Sequence, residues 1–195
     1  MQIPWGDIAY LLDGNARQRR AYRVLCDLGI LNVLRDYTPV LVGTIPIAID
    51  VEESDLDVIC EAHDLSAFAD QVTRAFGGRE GFRIKRKLIN DLPTVVADFD
   101  GEFPIEIFGQ PRPVTEQHAY RHMVVEGRLL AIGGERARRE IQRLKRDGLK
   151  TEPAFARYFN LQGDPFEVLL QLSRLSAGEL KSKVEQSCSP AKPSL

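Results

Sequence analysis

Cysteine is scarce in this chain of 195 residues, which contains three. Cys26, Cys60 and Cys188 are odd in number and show no CxxC or other ligand spacing. This pattern argues against a disulfide framework and against a zinc site built on thiolates, and it fits a reducing compartment. No apolar stretch approaches the length that spans a bilayer, and no basic segment precedes an apolar run at the N-terminus. We therefore expect a soluble, cytoplasmic protein without a membrane partner.

A large net charge is missing as well. The 26 basic and 28 acidic residues give a formal net charge of -2, so no global field attracts the chain to nucleic acid or to an anionic membrane. The sequence has no aromatic ladder, no recognised RNA-binding signature and no G-x-S-x-G elbow. Nucleic acid binding is thus not supported by pattern. A hydrophobic content of 44% is sufficient for a folded core.

Apolar spacing and turn residues predict an α+β fold. A first helix is expected from its N-cap Asn15 to about Tyr37. The elements predicted next are, in chain order, strands over 39–42 and 55–61, a helix over 64–76, and strands over 82–89, 94–100 and 103–108. The later part is predicted to be helical, over 115–132, 135–146, 153–159 and 165–175. Thr151 is the expected N-cap of the third of these helices.

Three regions follow from this pattern. Residues 1–113 are expected to form the α+β core, and residues 114–176 a C-terminal helical region that packs on it. Residues 177–195 are rich in Ser, Lys and Pro, with little apolar content, and are expected to form a disordered tail.

Three acidic residues are candidates for a metal site. Side chains at i and i+2 of a strand share a face, so Asp55 and Asp57 project together while Leu56 anchors the strand in the core. Glu106, in FPIEIF, points away from its apolar neighbours. If the two strands are neighbours, the three carboxylates converge and repel one another unless a proton or a divalent cation is bound. Oxygen ligands without His or Cys select Mg²⁺ or Mn²⁺. The alternative is a solvated strand edge or turn.

The order of these motifs carries a family resemblance. Val42-Gly43-Thr44 ends a predicted strand, Asp55-x-Asp57 follows about ten residues later, and a lone acid flanked by apolar residues comes last. This order resembles the DNA polymerase beta-like nucleotidyltransferase superfamily. The chain before the tail is also similar to a small bacterial family catalogued as a domain of unknown function with a nucleotidyltransferase-like core, on GTIPI, ESDLDVICE, IEIFGQP, QHAYRHMVVEGRLL and GLKTEPAF.

The resemblance implies a fold, a reaction and a set of roles. It implies a nucleotidyltransferase-like mixed sheet flanked by helices, with a C-terminal helical annex. It implies an enzyme that uses two Mg²⁺ or Mn²⁺ ions. The enzyme would move a nucleoside monophosphate from an NTP to a hydroxyl of a small molecule or a protein and release pyrophosphate. The expected NTP is ATP, so the group moved would be AMP. The implied roles are triphosphate contacts for Gly43 and Thr44, both metals for Asp55 and Asp57, and the metal that activates the attacking hydroxyl for Glu106. Ser54 completes the usual Ser-Asp-x-Asp form.

The sequence departs from the superfamily pattern after Gly43. Thr44 stands where Ser is usual, and Ile45-Pro46-Ile47-Ala48 replaces a turn that commonly carries Arg and Gly. Proline and β-branched residues disfavour a helical turn there. Two alternatives therefore stay open: a catalytically inactive binding or regulatory module, for instance of toxin–antitoxin type, and an RNA end-modifying enzyme, which would bind tRNA in a salt-sensitive manner.

Further candidates come from charged and histidine-containing segments. His118, His122 and Glu126 are spaced four residues apart on a predicted helix and therefore share a face. They could ligate a metal or line the substrate cleft. The alternative is a partly buried polar helix face. Lys85 shares a strand face with Arg83 and Lys87 and could neutralise a triphosphate, although a solvated sheet face has the same pattern.

Two basic segments lie in the helical region. Lys150 precedes a predicted helix and is free to reach a phosphate. The helix over 135–146 carries six basic residues, but Glu135, Glu140 and Asp147 are interleaved with them. This mixture is typical of an ordinary exposed helix.

Overall fold

The computed structural model describes residues 5–188, and a five-stranded mixed sheet is its central element. The strands are β1 (Val40–Val42), β2 (Leu56–Glu61), β3 (Arg83–Ile89), β4 (Leu92–Phe99) and β5 (Ile105–Gln110). Their order in the sheet is β1-β2-β5-β4-β3. Only the β2–β5 pair is parallel, and the other three pairs are antiparallel. The predicted fold class, a mixed sheet flanked by helices, is confirmed.

The chain divides into two compact units. Unit 1 comprises the chain up to Ala48 together with Glu52–Tyr120, and unit 2 comprises Ile49–Val51 together with the chain from Arg121. The division after Tyr120 differs from the expected boundary at 113. A short return to unit 2 at Ile49–Val51 was not foreseen.

Within the described residues, unit 1 contains the sheet and the complete α-helices α1 (Ala16–Leu28), α2 (Ile30–Val33) and α3 (Leu65–Phe76). Asn15 is the N-cap of α1, as expected. Its side chain accepts a hydrogen bond from the backbone N–H of Gln18, and Gln18 Oε1 accepts one from the N–H of Asn15, both at 2.9 Å. The helix ends earlier than expected because Gly29 adopts a left-handed conformation with φ 61°.

The core of unit 1 is formed by helix side chains and one face of the sheet. Leu56, Val58 and Cys60 in β2 are fully buried, as the period of two predicts. Phe68 and Val72 of α3 belong to the same apolar cluster. The polar residues of β2 and β5 therefore lie on the opposite face of the sheet.

A tight hairpin joins β3 to β4. Ile89 pairs with Leu92, and the two residues between them, Asn90 and Asp91, have φ of 50° and 60°. Positive φ at both central residues is the geometry of a type I′ turn, in which Asn and Asp are tolerated. β4 consequently starts at Leu92, two residues earlier than the sequence pattern indicated.

Unit 2 is helical in its described residues. Its helices are the larger part of α4 (His118–Arg146), α5 (Thr151–Tyr158), α6 (Pro165–Leu172) and α7 (Ala177–Cys188). α4 replaces two expected helices and contains a kink at Gly134, where φ is 63° and ψ is -160°.

α7 occupies the start of the expected tail, and its Leu180 and Val184 are buried, so the expectation of disorder is corrected for 177–188. The rest of that tail lies outside the described residues. None of the helices described is long and apolar enough to cross a membrane.

Candidate active site

Gly43 follows β1 directly and lies against Asp57. The antiparallel register pairs Val42 with Asp57, which brings the next residue of the chain beside that carboxylate. The backbone of Gly43 has φ 88°, in the left-handed region. A Cβ at this position would lie 2.6 Å from Asp57 Oδ2. Glycine is therefore required both by the turn and by the space that the carboxylate occupies.

Three carboxylates form a row across the middle of the sheet. Asp57 in β2 pairs with Glu106 in β5, and Glu106 pairs with Asp98 in β4. Residues paired in register project to the same face. The parallel pairing confirms that the Asp57 and Glu106 strands are neighbours. Sequence reasoning missed Asp98, although it too is a lone acid flanked by apolar residues in the run TVVADFD.

The third expected acid, Asp55, lies just before β2 and is exposed. Leu56, between the two aspartates, is fully buried, as expected of a residue that anchors the strand. No three His, Cys, Asp or Glu side chains within the described part of the chain are grouped closely enough to hold a metal ion. The strand pairing places Asp57 beside Glu106, and Asp55 lies two residues before Asp57, so the expected joint role of the three acids in binding metal stays a prediction.

The electrostatics of the row favour a bound cation or proton. Burial raises the pKa of Asp57 to about 8, with the negative charges of Asp55 and Glu106 adding to the effect. Burial also raises the pKa of Glu106, while the nearby positive charges of Lys87 and Lys85 lower it. At neutral pH Asp57 therefore retains a proton unless a positive charge replaces it.

A small cavity borders this row. It measures about 210 Å³ and is lined by Asp55, Glu106, Asp98, Arg83 and Lys85, among others. Sequence reasoning expected Lys85 near the phosphates, and this side chain is exposed at the cavity. Ligand pockets typically measure about 300–1,000 Å³, so this cavity of unit 1 accommodates part of a nucleotide rather than all of it.

Two hydroxyl residues hold the loop that leads to the acids. Thr44 Oγ1 donates a hydrogen bond to Ser54 Oγ at 3.2 Å, and Ser54 is buried. The guanidinium of Arg17, from α1, donates to the carbonyl oxygen of Ser54 at 3.2 Å and to that of Glu52 at 2.7 Å. Arg17 also lies over the ring of Phe103, 4.8 Å from its centroid. This role of Arg17 could not be predicted from its place in the basic first turns of α1.

The atypical segment after Thr44 is an apolar turn. Ile45, Pro46 and Ile47 are buried and the segment is not helical, as the proline and isoleucines predicted. Gln18 Nε2 donates hydrogen bonds to the carbonyl oxygens of Ile45 at 2.9 Å and Pro46 at 3.2 Å. Ala48 closes the turn with φ 56°. The segment thus extends the core of unit 1, and its buried carbonyl groups are satisfied by one side chain of α1.

The histidines expected on one helix face have separate contacts. His118, in unit 1, has Nδ1 3.2 Å from Asn90 Nδ2. His122, in unit 2, has Nε2 3.1 Å from the carbonyl oxygen of Phe166 and Nδ1 3.4 Å from Glu152 Oε1. These contacts favour the partly buried polar face over a metal site.

Glu126 is the most deeply buried acid of unit 2. Burial raises its pKa to about 8, Glu152 raises it further and Lys145 opposes the shift. Its Oε1 atom has no hydrogen-bond partner among the residues that the structure describes. Lys150, the remaining candidate, is the exposed N-cap of α5, a position expected for Thr151, which is instead the first helical residue.

A family model described as "Domain of unknown function (DUF4269)" matches residues 23–172 of the chain. No curated protein matches this chain.

Solved structures of nucleotidyltransferases have a similar fold. A cytoplasmic RNA terminal U-transferase matches with a TM-score of 0.50 and 14% identity, over 81% of this chain and 47% of its own. The Cid1 poly(U) polymerase bound to MgGTP matches with a TM-score of 0.51 and 14% identity, over 79% and 48%. The complex of Cid1 with Mg 3′-dATP matches with a TM-score of 0.51 and 15% identity, over 81% of this chain and 49% of its own. This chain therefore spans about half the length of these structures and shares their fold.

Proposed function

Because the chain belongs to the family described as "Domain of unknown function (DUF4269)", which names no reaction, we propose a function from its own residues: metal-dependent nucleotidyl transfer. AMP is moved from ATP to a hydroxyl group of a small molecule or a protein. The acceptor oxygen forms a bond to the α-phosphorus, the bond from that phosphorus to the pyrophosphate oxygen breaks, and the hydroxyl proton passes to solvent water. The observation that carries the proposal is the pairing of Asp57 with Glu106, with Asp55 next to them, in a nucleotidyltransferase-like fold.

The chemistry of the acidic residues fits a divalent cation. Asp55, Asp57 and Glu106 offer only hard oxygen ligands, which suit Mg²⁺ and Mn²⁺. The raised pKa of Asp57 reflects repulsion and burial that a bound cation would offset. Asp55 and Asp57 would hold two ions, and Glu106 one of them. Two such ions supply positive charge to the attacking and leaving oxygens of an in-line displacement.

The remaining residues of unit 1 serve the triphosphate. Gly43 has no side chain, so its backbone lies directly against Asp57, and we assign its backbone N–H to a phosphate held by the same cation as that carboxylate. Thr44 and Ser54 are linked by a hydrogen bond and offer hydroxyl groups in the same loop. Lys85 faces the cavity beside Glu106 and contributes a positive charge.

A second candidate function is a nucleotidyltransferase-like binding or regulatory module without catalysis. The observation in its favour is the buried turn Ile45-Pro46-Ile47-Ala48, which offers no basic side chain where a triphosphate would need one. Calorimetry separates the two functions. An enzyme that uses this site releases heat when Mg²⁺ and a non-hydrolysable ATP analogue are added together, whereas a module without a triphosphate site releases none.

The direct test follows label from ATP. Wild-type protein, ATP labelled on its α-phosphate, Mg²⁺ and a cell extract as the source of acceptors are expected to give a labelled product. Asp57→Asn and Glu106→Gln are each expected to reduce labelling at least 100-fold, because each removes a carboxylate from the proposed metal ligands.

The matched control is Asp70→Asn, which makes the same chemical change at an exposed position of α3. It is expected to label at the wild-type rate. Asp57→Asn protein that is folded and labels as fast as wild type would disprove the mechanism. Labelling that persists without divalent cations would do the same.

A further inference from the structure

Unit 2 contains a large cavity at its surface that is lined mainly by arginine. It measures about 930 Å³ and lies between α4 and α5. Five arginines and one glutamate contribute charge to its lining, namely Arg136, Arg139, Arg143, Arg146, Arg157 and Glu140. The net charge of the whole chain is -2, so positive charge is concentrated here against the overall balance.

The arginines of α4 are arranged in a line. Arg136, Arg139, Arg143 and Arg146 are separated by three, four and three residues, which places them on one face of the helix. At 1.5 Å per residue they cover about 15 Å of helix. Arg157 is added from the end of α5. All five are exposed, so their charged groups are accessible to a ligand.

Most of this charge is not neutralised by the protein. Arg143 is held by Glu140, at 2.7 Å, and by Asp147, at 2.6 Å. The side chains of Arg136, Arg139, Arg146 and Arg157 make no hydrogen bond or ion pair within the described residues. A hydrogen bond from Arg143 lowers the pKa of Glu140, and the charges of Arg157 and Arg136 lower it further. The one acid of the lining is therefore surrounded by guanidinium groups.

An aromatic ring lies beside the arginines. Tyr158 lines the cavity and is half-buried. Its ring packs edge-on against Phe159, with centroids 4.8 Å apart, and Phe159 is buried. The ring is thus fixed from one side by the core of unit 2. Arginine forks suit phosphate groups, and tyrosine rings suit the faces of unpaired bases.

We propose that the arginine-lined cavity of unit 2 binds the backbone of a single-stranded nucleic acid, with Arg136, Arg139, Arg146 and Arg157 on consecutive phosphates and Tyr158 against a base. The lining of this cavity includes none of the residues proposed for nucleotidyl transfer, and the proposal does not depend on that reaction. The helix over 135–146 had the sequence pattern of an ordinary exposed helix. The cavity depends on Arg157 and Tyr158 of α5, which line it together with the arginines of α4.

The test measures fluorescence anisotropy of a labelled single-stranded RNA of about 12 nucleotides, within the site sizes of about 4–16 known for single-strand binding proteins. No NTP or divalent cation is added, so the result is independent of catalysis. Four phosphate contacts predict a slope of log K against log salt of about -3, at about -0.7 per contact for single strands.

The variant Arg139→Gln/Arg146→Gln/Arg157→Gln is expected to bind at least 10-fold more weakly, with a slope near -1, because about -0.7 is lost per contact. Tyr158→Leu is expected to weaken binding about 5-fold by loss of stacking. The matched control, Arg74→Gln/Arg79→Gln/Lys181→Gln, removes the same charge from exposed positions outside the cavity. It should bind as wild type does. Circular dichroism checks that all variants are folded.

Three outcomes would overturn the proposal. The first is wild-type protein that shows no salt-dependent binding. The second is a control triple variant that loses as much affinity as the cavity variant. The third is duplex RNA, or tripolyphosphate as a competitor, that binds as tightly as the single strand, because neither offers an unpaired base to Tyr158.

Discussion

At the scale of single residues, Asp57 shows a conflict between stability and the proposed chemistry. Its carboxyl group is withdrawn from water beside two other acids, which raises its pKa to about 8. Gly43 leaves room for it, since any larger residue would lie against Asp57 Oδ2. A residue that is costly to ionise, and around which the backbone is shaped, is expected where a ligand supplies the missing positive charge.

Replacement of Asp57 is therefore expected to stabilise the protein while it abolishes activity. At pH 8, without divalent cations, Asp57→Asn should raise the free energy of unfolding by a few kcal/mol, since one pKa unit corresponds to about 1.4 kcal/mol. The gain should disappear at about pH 3 and below, where folded and unfolded Asp57 are both largely protonated. Denaturant unfolding at the two pH values measures the difference.

Magnesium is expected to reverse the order of stability of wild type and Asp57→Asn. In saturating Mg²⁺ the wild type should gain stability and Asp57→Asn should gain little, because a ligand stabilises only the form that binds it. Asp70→Asn is again the control and should follow the wild type. Equal stabilisation of Asp57→Asn by Mg²⁺ would contradict the assignment of this residue to the metal.

At the scale of elements, α4 continues through a residue that interrupts its geometry. Gly134 has φ 63° and ψ -160°, a conformation that is accessible almost only to glycine. A Cβ at Gly134 would meet no atom within 4 Å. The requirement for glycine is thus a matter of backbone conformation and not of space. The sequence pattern predicts two helices separated at 133–134, whereas the structure has one helix with a kink there.

Because of the kink, alanine substitutions at two glycines of unit 2 are expected to differ in their effect on stability. Gly134→Ala should destabilise the protein by about 1–3 kcal/mol, the usual cost of such a backbone conformation for a residue with a side chain. Gly178→Ala, near the start of α7 with open space around it, should leave stability unchanged or raise it by up to about 1 kcal/mol. Thermal unfolding of both variants provides the comparison, and equal effects would show that Gly134 is not strained.

Local signals predicted the elements that depend on local chemistry. The cap at Asn15 and the alternation in β2 could both be predicted from neighbouring residues. The register that pairs Asp57 with Glu106 and Asp98 could not, because it depends on which strands become neighbours. The same holds for Arg17, which reaches the loop at Ser54 from a distant helix. The acids were predictable as candidates, but their partners were not.

At the scale of the whole molecule, charge is divided between the two units although the sum is close to zero. The central sheet of unit 1 carries the acidic row Asp57, Glu106 and Asp98, and α4 of unit 2 carries the arginine line. Bulk composition led to the expectation that nucleic acid binding has no support, because an average over the chain hides both clusters. The three-dimensional arrangement is what separates them.

Each unit also buries one acid with a pKa of about 8, Asp57 in unit 1 and Glu126 in unit 2. Between the ordinary value near 4 and about 8, the folded protein keeps these protons and the unfolded chain has lost them. The folded state therefore binds more protons, and stability should fall as pH rises through this window, by up to about 1.4 kcal/mol per pH unit for each group.

Glu126→Gln tests this pH dependence apart from the proposed metal site. The side chain keeps its shape but has no proton to lose, so in metal-free buffer the fall in the free energy of unfolding between pH 5 and pH 8 should become shallower. Adding Asp57→Asn should flatten it further. Glu135→Gln, at an exposed position of the same helix, should keep the wild-type slope. A slope that Glu126→Gln leaves unchanged would mean that this carboxyl group is already ionised within the folded protein, with a cation or water compensating its buried charge.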